Sequence, residues 1–171
     1  MMEVAMTSAK PARIDDVRVL RLTVQELTPE AFAPYGEVSG PRSSFRLDFS
    51  NQSASFCHVR IEYRPLHLLF FARHLYTTQS YVPLGGGESI LVVAPPSDLL
   101  DSDAVPDLAR AAAFRLTGGS AVNLHRGTWH RTPMPLGEFG DFMVLDRDGT
   151  LDDLDLVDLC HNLGVTIEID L

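Results

Sequence analysis

The segment RHLYTTQSYVPLGGGE carries side chains that could take part in proton transfer and substrate binding. His74, Tyr76 and Gln79 precede Gly86 in the pattern H-x-Y-x2-Q-x6-G. Residues i and i+2 of a strand point to the same side, so His74 and Tyr76 are expected to face one cavity. Histidine moves protons near neutral pH, and the neutral amide of Gln79 can both donate and accept hydrogen bonds. We therefore predict His74 as catalytic and Tyr76 and Gln79 as substrate-binding.

A second segment, GSAVNLHRGTWHRTPM, places two more histidines around a glycine. Gly119, His125, Gly127 and His130 give the pattern G-x5-H-x-G-x2-H. Gly127 permits a tight turn that would bring His130 inward on the next strand. His130 and His125 are both predicted as catalytic, and the sequence leaves open which of them is the base.

Arginines inside these motifs could bind a small carboxylate, because guanidinium groups pair with carboxylates through two hydrogen bonds. We predict this role for Arg73 and Arg126 inside the motifs and for Arg46, which lies upstream of both. Arg73 and His74 alternate along one strand, so only one of them can face the cavity, and we favour His74. Arg131 is expected to point outward.

The same residues predict no structural metal site. Two histidines with a tyrosine and a neutral amide form a poor ligand set for a divalent ion. A weakly bound divalent metal remains an open alternative, and no other cofactor is indicated.

Composition limits the possible functions further. The chain has 171 residues, 45% of them hydrophobic, with 14 Lys and Arg against 23 Asp and Glu, a net charge of −9. A negative surface repels nucleic acid and anionic lipid, so neither is expected as a partner. Apolar stretches fall short of the ~20 residues that span a bilayer. Residues 1–16 lack a secretory pattern and are predicted to be a flexible arm, so we expect a cytoplasmic protein with Cys57 and Cys160 reduced.

The elements that would position these side chains are mostly strands. Segments rich in β-branched and aromatic residues are predicted at 17–24, 55–63, 67–71, 79–83, 89–94, 121–124, 141–146 and 165–169. Thr28 and Pro29 predict one short helical turn over 30–34, and residues 106–114 have helical composition. Many short strands with little helix predict an all-β sandwich or barrel.

The histidine spacings resemble the two motifs of the cupin superfamily. Three strings, RHLYTTQSYVPL, NLHRGTWHRTP and DFMVLDR, resemble segments of the ureidoglycolate lyase family in the same order. In the first third the resemblance is weaker, with only Arg46 and Asp48 in place of the family's R-[FY]-H-D-L.

This resemblance implies a cupin-like β-barrel or jelly roll with one or two short helices, formed by residues 17–171 as a single domain. It also implies an enzyme that cleaves ureidoglycolate to glyoxylate and urea in allantoin and purine catabolism. Two alternatives remain open: another cupin enzyme, such as an isomerase or weakly metal-dependent oxygenase, and a non-catalytic barrel that binds a small acid. Exposed edge strands of such a barrel favour a homodimer.

Overall fold

The computed structural model describes residues 17–171, so the predicted N-terminal arm lies outside the described part of the chain. The strands are β1 (Arg18–Glu26), β2 (Gly36–Ser39), β3 (Ala54–Glu62), β4 (His67–Leu68), β5 (Phe70–His74), β6 (Gln79–Leu84), β7 (Ser89–Ala94), β8 (Ala112–Leu116), β9 (Ala121–Leu124), β10 (Trp129–His130), β11 (Met134–Pro135), β12 (Phe139–Arg147), β13 (Leu154–Asp158) and β14 (Val165–Asp170). The helices are α1 (Pro29–Phe32) and α2 (Leu159–Leu163), and 3₁₀ turns cover Leu108–Arg110 and Thr150–Asp153.

The strands form two sheets. The larger has the order β13-β5-β10-β7-β8-β1-β14-β4, with β11 also paired to β7, and the smaller has the order β2-β9-β6-β12-β3. Strand β1 runs parallel to β8 and β14, whereas the central pairs β12–β6 and β7–β8 are antiparallel. The prediction of an all-β fold with one or two short helices is confirmed, since the described chain has two sheets and two short α-helices.

Strand β7 shows how sequence pattern and packing correspond. Its six residues are all buried. Leu91 and Val93 belong to the core between the two sheets, whereas Ile90, Val92 and Ala94 belong to a second core on the outer side of the larger sheet. Because both faces are covered, this strand is continuously apolar instead of alternating.

Local signals at the first helix act as expected. Thr28 caps α1 by accepting a hydrogen bond from the backbone N–H of Ala31 at 3.2 Å, and Pro29 is the first helical residue. This short turn places Phe32 fully in the core, where its ring contacts Phe114 edge to face.

The helical prediction for residues 106–114 is wrong. Asp107 caps only one 3₁₀ turn, and Ala112–Leu116 forms β8, which pairs with β7 and β1. Burial of Phe114 and Leu116 against the opposite sheet outweighs the helical preference of the preceding alanines. The predicted strand over 67–71 is divided into β4 and β5, and α2 and β13 were missed.

Both cysteines are free thiols, as predicted, with Cys57 exposed and Cys160 half-buried. Within residues 17–171, no helix is long and apolar enough to cross a membrane.

Candidate active site

A cavity of about 440 Å³ opens between the two sheets. Its polar lining consists of Cys57, His74, Gln79, Tyr81, His130, Arg131, Thr132, Asp146 and Thr150. Its apolar lining consists of Val59, Ile61, Ala72, Val144, Leu151 and Leu154. The predicted convergence of His74, Gln79 and His130 is therefore observed.

Strand alternation explains why these side chains meet. On each contributing strand the lining residues are two apart, as in the pairs Gln79 and Tyr81 on β6 and Val144 and Asp146 on β12. Residues i and i+2 of a strand share one face, so five strands, β3, β5, β6, β10 and β12, supply polar groups to one space. Gly127, with φ of 78°, makes the turn that starts β10 and brings His130 inward, as the sequence indicated.

His74 presents an open ring nitrogen to the cavity. The residue is 6% exposed, and its Nδ1 lies 3.2 Å from the hydroxyl of Thr150. When Nδ1 donates to that hydroxyl, Nε2 carries a lone pair, and no protein group within residues 17–171 occupies it. Burial lowers the pKa of His74, with an opposing effect from Asp153 and Asp146. His74 is thus a neutral base that substrate can reach.

His130 is held by protein groups at both ring nitrogens. Its Nδ1 is 2.9 Å from the carbonyl oxygen of Thr128, and its Nε2 is 2.9 Å from the side-chain amide of Gln79. Burial, followed by the nearby His74 ring, lowers the pKa of His130 to about 3. The two rings lie 5.4 Å apart, so His130 packs beside the base without offering a free nitrogen.

Gln79 joins His130 to an acidic residue that the sequence analysis missed. The Gln79 amide nitrogen donates to Asp146 Oδ2 at 3.0 Å, and the amide oxygen that faces His130 also accepts from the Tyr81 hydroxyl at 2.7 Å. Asp146 is 5% exposed, and burial raises its pKa. The available signal was a carboxylate on the inward face of DFMVLDR, two residues after the buried Val144.

Arg131 lines the cavity, so the expectation that it points outward is wrong. Strand β10 ends at His130, and the alternation that would have turned Arg131 away therefore stops. Arg64 holds the following residues by donating to the carbonyl and hydroxyl of Thr132 and to the carbonyl of Pro133. Within the described chain, the Arg131 guanidinium has no carboxylate partner, unlike the paired arginine Arg73.

Arg73 is not available to substrate. It lies on the opposite face of β5 from His74, fully buried, and its guanidinium pairs with Asp155 at 2.8 Å. It also donates to the carbonyls of Asp98 and Asp101 and stacks over the Trp129 ring. The structure places His74 in the cavity lining and Arg73 outside it, and the contacts of Arg73 give no support to its predicted substrate-binding role.

Truncation of the buried Arg73 side chain should destabilise the folded protein. We expect Arg73→Ala to lower the free energy of unfolding by about 3–5 kcal/mol, because Asp155 and two carbonyls lose a buried partner. Urea denaturation measures the change. Arg60→Ala is the matched control, since Arg60 makes an exposed pair with Asp141. Equal losses in the two variants would contradict the role assigned to Arg73.

Four further predicted site residues lie outside the cavity lining. Tyr76 follows the end of β5, so alternation no longer applies, and its side chain is 52% exposed. Arg126 donates to the carbonyl of Leu75 and pairs with Asp48 in an exposed loop. Arg46 is exposed, and His125 is half-buried in the turn before Gly127, away from the cavity. These positions correct the predicted substrate-binding and catalytic roles.

The side chains at this cavity do not fit a tightly held divalent metal. Among residues 17–171, no three His, Cys, Asp or Glu side chains are grouped as ligands. Both nitrogens of His130 already face protein groups, which leaves His74 as the open imidazole. One imidazole falls short of the three or four ligands of a typical site.

Comparison with known proteins identifies the family. The family model described as ureidoglycolate lyase matches residues 48–167. The chain belongs to the ureidoglycolate lyase family. A ureidoglycolate lyase of Pseudomonas syringae pv. tomato is 31% identical over 149 residues, covering 75% of this chain and 84% of the relative. One from Pseudomonas aeruginosa PAO1 is 32% identical over 150 residues, covering 75% and 85%.

Solved structures similar to this member of the ureidoglycolate lyase family include two other proteins. RmlC from Streptococcus suis matches with a TM-score of 0.37 and 12% identity, over 56% of this chain and 44% of that one. Oxalate decarboxylase OxdC from Bacillus subtilis matches with a TM-score of 0.40 and 16% identity, over 73% and 28%.

Proposed function

We propose that this chain cleaves ureidoglycolate to glyoxylate and urea, a step in the breakdown of allantoin and purine nitrogen. The observation that carries the proposal is the convergence of an open imidazole nitrogen on His74 and an unpaired guanidinium on Arg131 in one cavity. The two relatives compared above are named ureidoglycolate lyase.

The substrate explains why these two groups are needed. Ureidoglycolate has a carboxylate, a hydroxyl and a ureido nitrogen on one carbon. Arg131 would bind the carboxylate through charge-assisted hydrogen bonds. His74 Nε2 would remove the hydroxyl proton, the C–O bond would become the carbonyl of glyoxylate, and the C–N bond would break. The departing urea nitrogen then needs one proton, which either the protonated His74 or a second acid lining the cavity would supply.

The direct test is turnover of ureidoglycolate by the purified chain. We expect glyoxylate and urea to form in equal amounts, measured together over time. Glyoxylate binding without turnover would favour a barrel that binds small acids. Turnover of a different carboxylate alone would favour another enzyme of the cupin type.

The pKa of His74 sets the expected acid side of the pH profile. Protonated His74 cannot accept the hydroxyl proton, so the rate must fall as pH drops through its pKa. Because burial lowers that pKa from 6.5, we expect the midpoint of the fall in kcat/KM to lie below pH 6.5. Initial rates across the acid range measure this, and an inflection above pH 6.5 would contradict His74 as the base.

The reaction as proposed requires no tightly bound metal. We expect a chelator followed by buffer exchange to leave the rate unchanged. Activity that returns only after a divalent ion is added would instead indicate a weakly bound metal.

We also propose a homodimer in the cytoplasm. Strand β3 is one edge of the smaller sheet and β13 is one edge of the larger sheet. Both carry exposed apolar side chains, including Phe56 and Leu156. Covering such edges removes unpaired backbone groups from solvent. A molar mass by light scattering equal to one chain would contradict the dimer. The proposed cytoplasmic location is supported by the two free thiols, which suit a reducing compartment.

A further inference from the structure

A chain of hydrogen bonds runs from the cavity to a buried backbone carbonyl. Asp146 contacts the Gln79 amide at 3.0 Å, that amide contacts His130 Nε2 at 2.9 Å, and His130 Nδ1 contacts the Thr128 carbonyl at 2.9 Å. All three side chains are at least nine-tenths buried. Each contact therefore requires one donor and one acceptor.

The donors along this chain can be assigned from its inner end. The Thr128 carbonyl can only accept, so His130 Nδ1 carries a hydrogen. A neutral His130 then has a lone pair at Nε2, and Gln79 must turn its NH₂ group towards it. The amide oxygen consequently faces Asp146, and that contact forms only when the carboxyl group donates. Asp146 is therefore protonated whenever His130 is neutral.

The structure places the Gln79 amide the other way round, with Nε2 towards Asp146 Oδ2 and Oε1 towards His130 Nε2, and this orientation leads to the same proton count. Rotation by 180° exchanges the oxygen and nitrogen of Gln79 without moving its neighbours. Its NH₂ group then donates to an ionised Asp146, and its oxygen faces Nε2, so His130 must carry both hydrogens. In either orientation, the hydrogen-bonded side chains of Asp146, Gln79 and His130 together hold one proton more than an ionised Asp146 and a neutral His130 would hold.

Burial decides where that proton resides. A buried ion pair separated by an amide is less favourable than two neutral groups. Consistently, burial raises the pKa of Asp146 and lowers that of His130 to about 3. In the structure the Tyr81 hydroxyl donates to the Gln79 oxygen. With the proton on Asp146 and the amide rotated, Tyr81 would instead accept from the amide NH₂ group and donate into the cavity that it lines.

We propose that Asp146, kept neutral by Gln79 and His130, is the general acid that gives a proton to the departing urea nitrogen. This inference rests on the proposed lyase function. In the step, the hydroxyl proton moves to His74 Nε2, the C–N bond electrons go to the urea nitrogen, and the Asp146 proton joins that nitrogen. The protonated His74 and the Asp146 carboxylate then return to their starting states by proton transfer through water.

Other charged groups around Asp146 set its titration. His74 faces it from β5, Asp153 from the 3₁₀ turn and Arg147 from β12 itself. Burial, the largest influence, and Asp153 raise the pKa of Asp146, whereas the hydrogen bond from Gln79 in the orientation shown and the His74 and Arg147 charges lower it. A protonated His74 would therefore help Asp146 to release its proton at the moment of bond cleavage.

The variant Asp146→Asn separates acid catalysis from hydrogen bonding. The asparagine NH₂ group can donate to the Gln79 oxygen, so all the hydrogen bonds from residue 146 to His130 can form with His130 neutral. Asparagine has no acidic proton to give to the urea nitrogen. We expect kcat to fall by about 10²–10⁴-fold with little change in KM or melting temperature. Asp148→Asn, at an exposed position in the turn after β12, is the matched control and should keep full activity.

A readout independent of turnover tests the proton itself. Infrared difference spectra between the wild type and Asp146→Asn at neutral pH should contain the carbonyl band of a protonated carboxyl group. Spectra of the wild type by itself should also lose this band when the pH is raised to alkaline values. This second measurement does not need the variant, so the test stays valid if the variant fails to fold.

Full activity in Asp146→Asn, or absence of the acid band at neutral pH, would overturn the inference. A wild-type protein that shows the band but does not cleave ureidoglycolate would overturn the proposed function, and with it the catalytic use of the proton. The two failures are therefore distinguishable.

Discussion

We expect His74→Asn to lower kcat for ureidoglycolate cleavage by about 10²–10⁴-fold, the usual contribution of a positioned general base. Asparagine can still hydrogen-bond to the Thr150 hydroxyl, but it has no basic nitrogen to accept the hydroxyl proton. Substrate binding depends on other groups, so KM should change little. Steady-state glyoxylate formation measures both constants, and a thermal melt verifies that the variant is folded.

His125→Asn is the matched control for this experiment. His125 belongs to the same pair of motifs in the sequence, but the structure places it in the turn before Gly127, outside the cavity. We expect its variant to keep the wild-type rate. A large loss in His125→Asn together with full activity in His74→Asn would reverse the assignment of the base.

The convergence of His74, Gln79 and His130 could be predicted because it depends on local rules. Alternation fixed the inward side of β5, and a glycine with positive φ fixed the turn before β10. Both rules act within a few residues, where the sequence carries the information. The same locality explains why Thr28 correctly marked the start of α1.

The errors arose where a strand ends, which alternation alone cannot show. Tyr76 and Arg131 were assigned by continuing β5 and β10 past His74 and His130, where both strands stop. What ends them is tertiary: Asp153 binds the backbone N–H of Tyr76, and Arg64 binds the segment after Arg131. These partners are 77 and 68 residues away from the groups they bind, beyond the reach of a local pattern.

The role of His130 could not be read from its motif either. Its spacing predicted an inward ring, which is observed, but the sequence could not show that Thr128 and Gln79 occupy both ring nitrogens. The open nitrogen belongs instead to His74. Both histidines face the cavity, so the hydrogen-bond partners of each ring decide which of them can accept a proton from substrate.

Arg131→Ala should weaken carboxylate binding more than any other arginine variant. Arg131 is a cavity-lining cation without a carboxylate partner in the described chain, and an overall charge of −9 gives an anion no long-range attraction. Loss of a hydrogen bond to a charged group costs about 1.5–3 kcal/mol, which corresponds to about 10- to 150-fold in affinity. We expect that increase in KM for ureidoglycolate and in the Kd of glyoxylate measured by calorimetry.

Arg126→Ala provides the matched control, because Arg126 is already paired with Asp48 in an exposed loop and should leave both constants unchanged. Arg131→Lys tests geometry against charge: an ammonium keeps the positive charge but cannot make the two parallel hydrogen bonds of a guanidinium. We expect Arg131→Lys to recover only part of the lost affinity. Unchanged glyoxylate affinity in Arg131→Ala, with a loss in Arg126→Ala, would move the carboxylate site to the loop and leave the cavity without its anion partner.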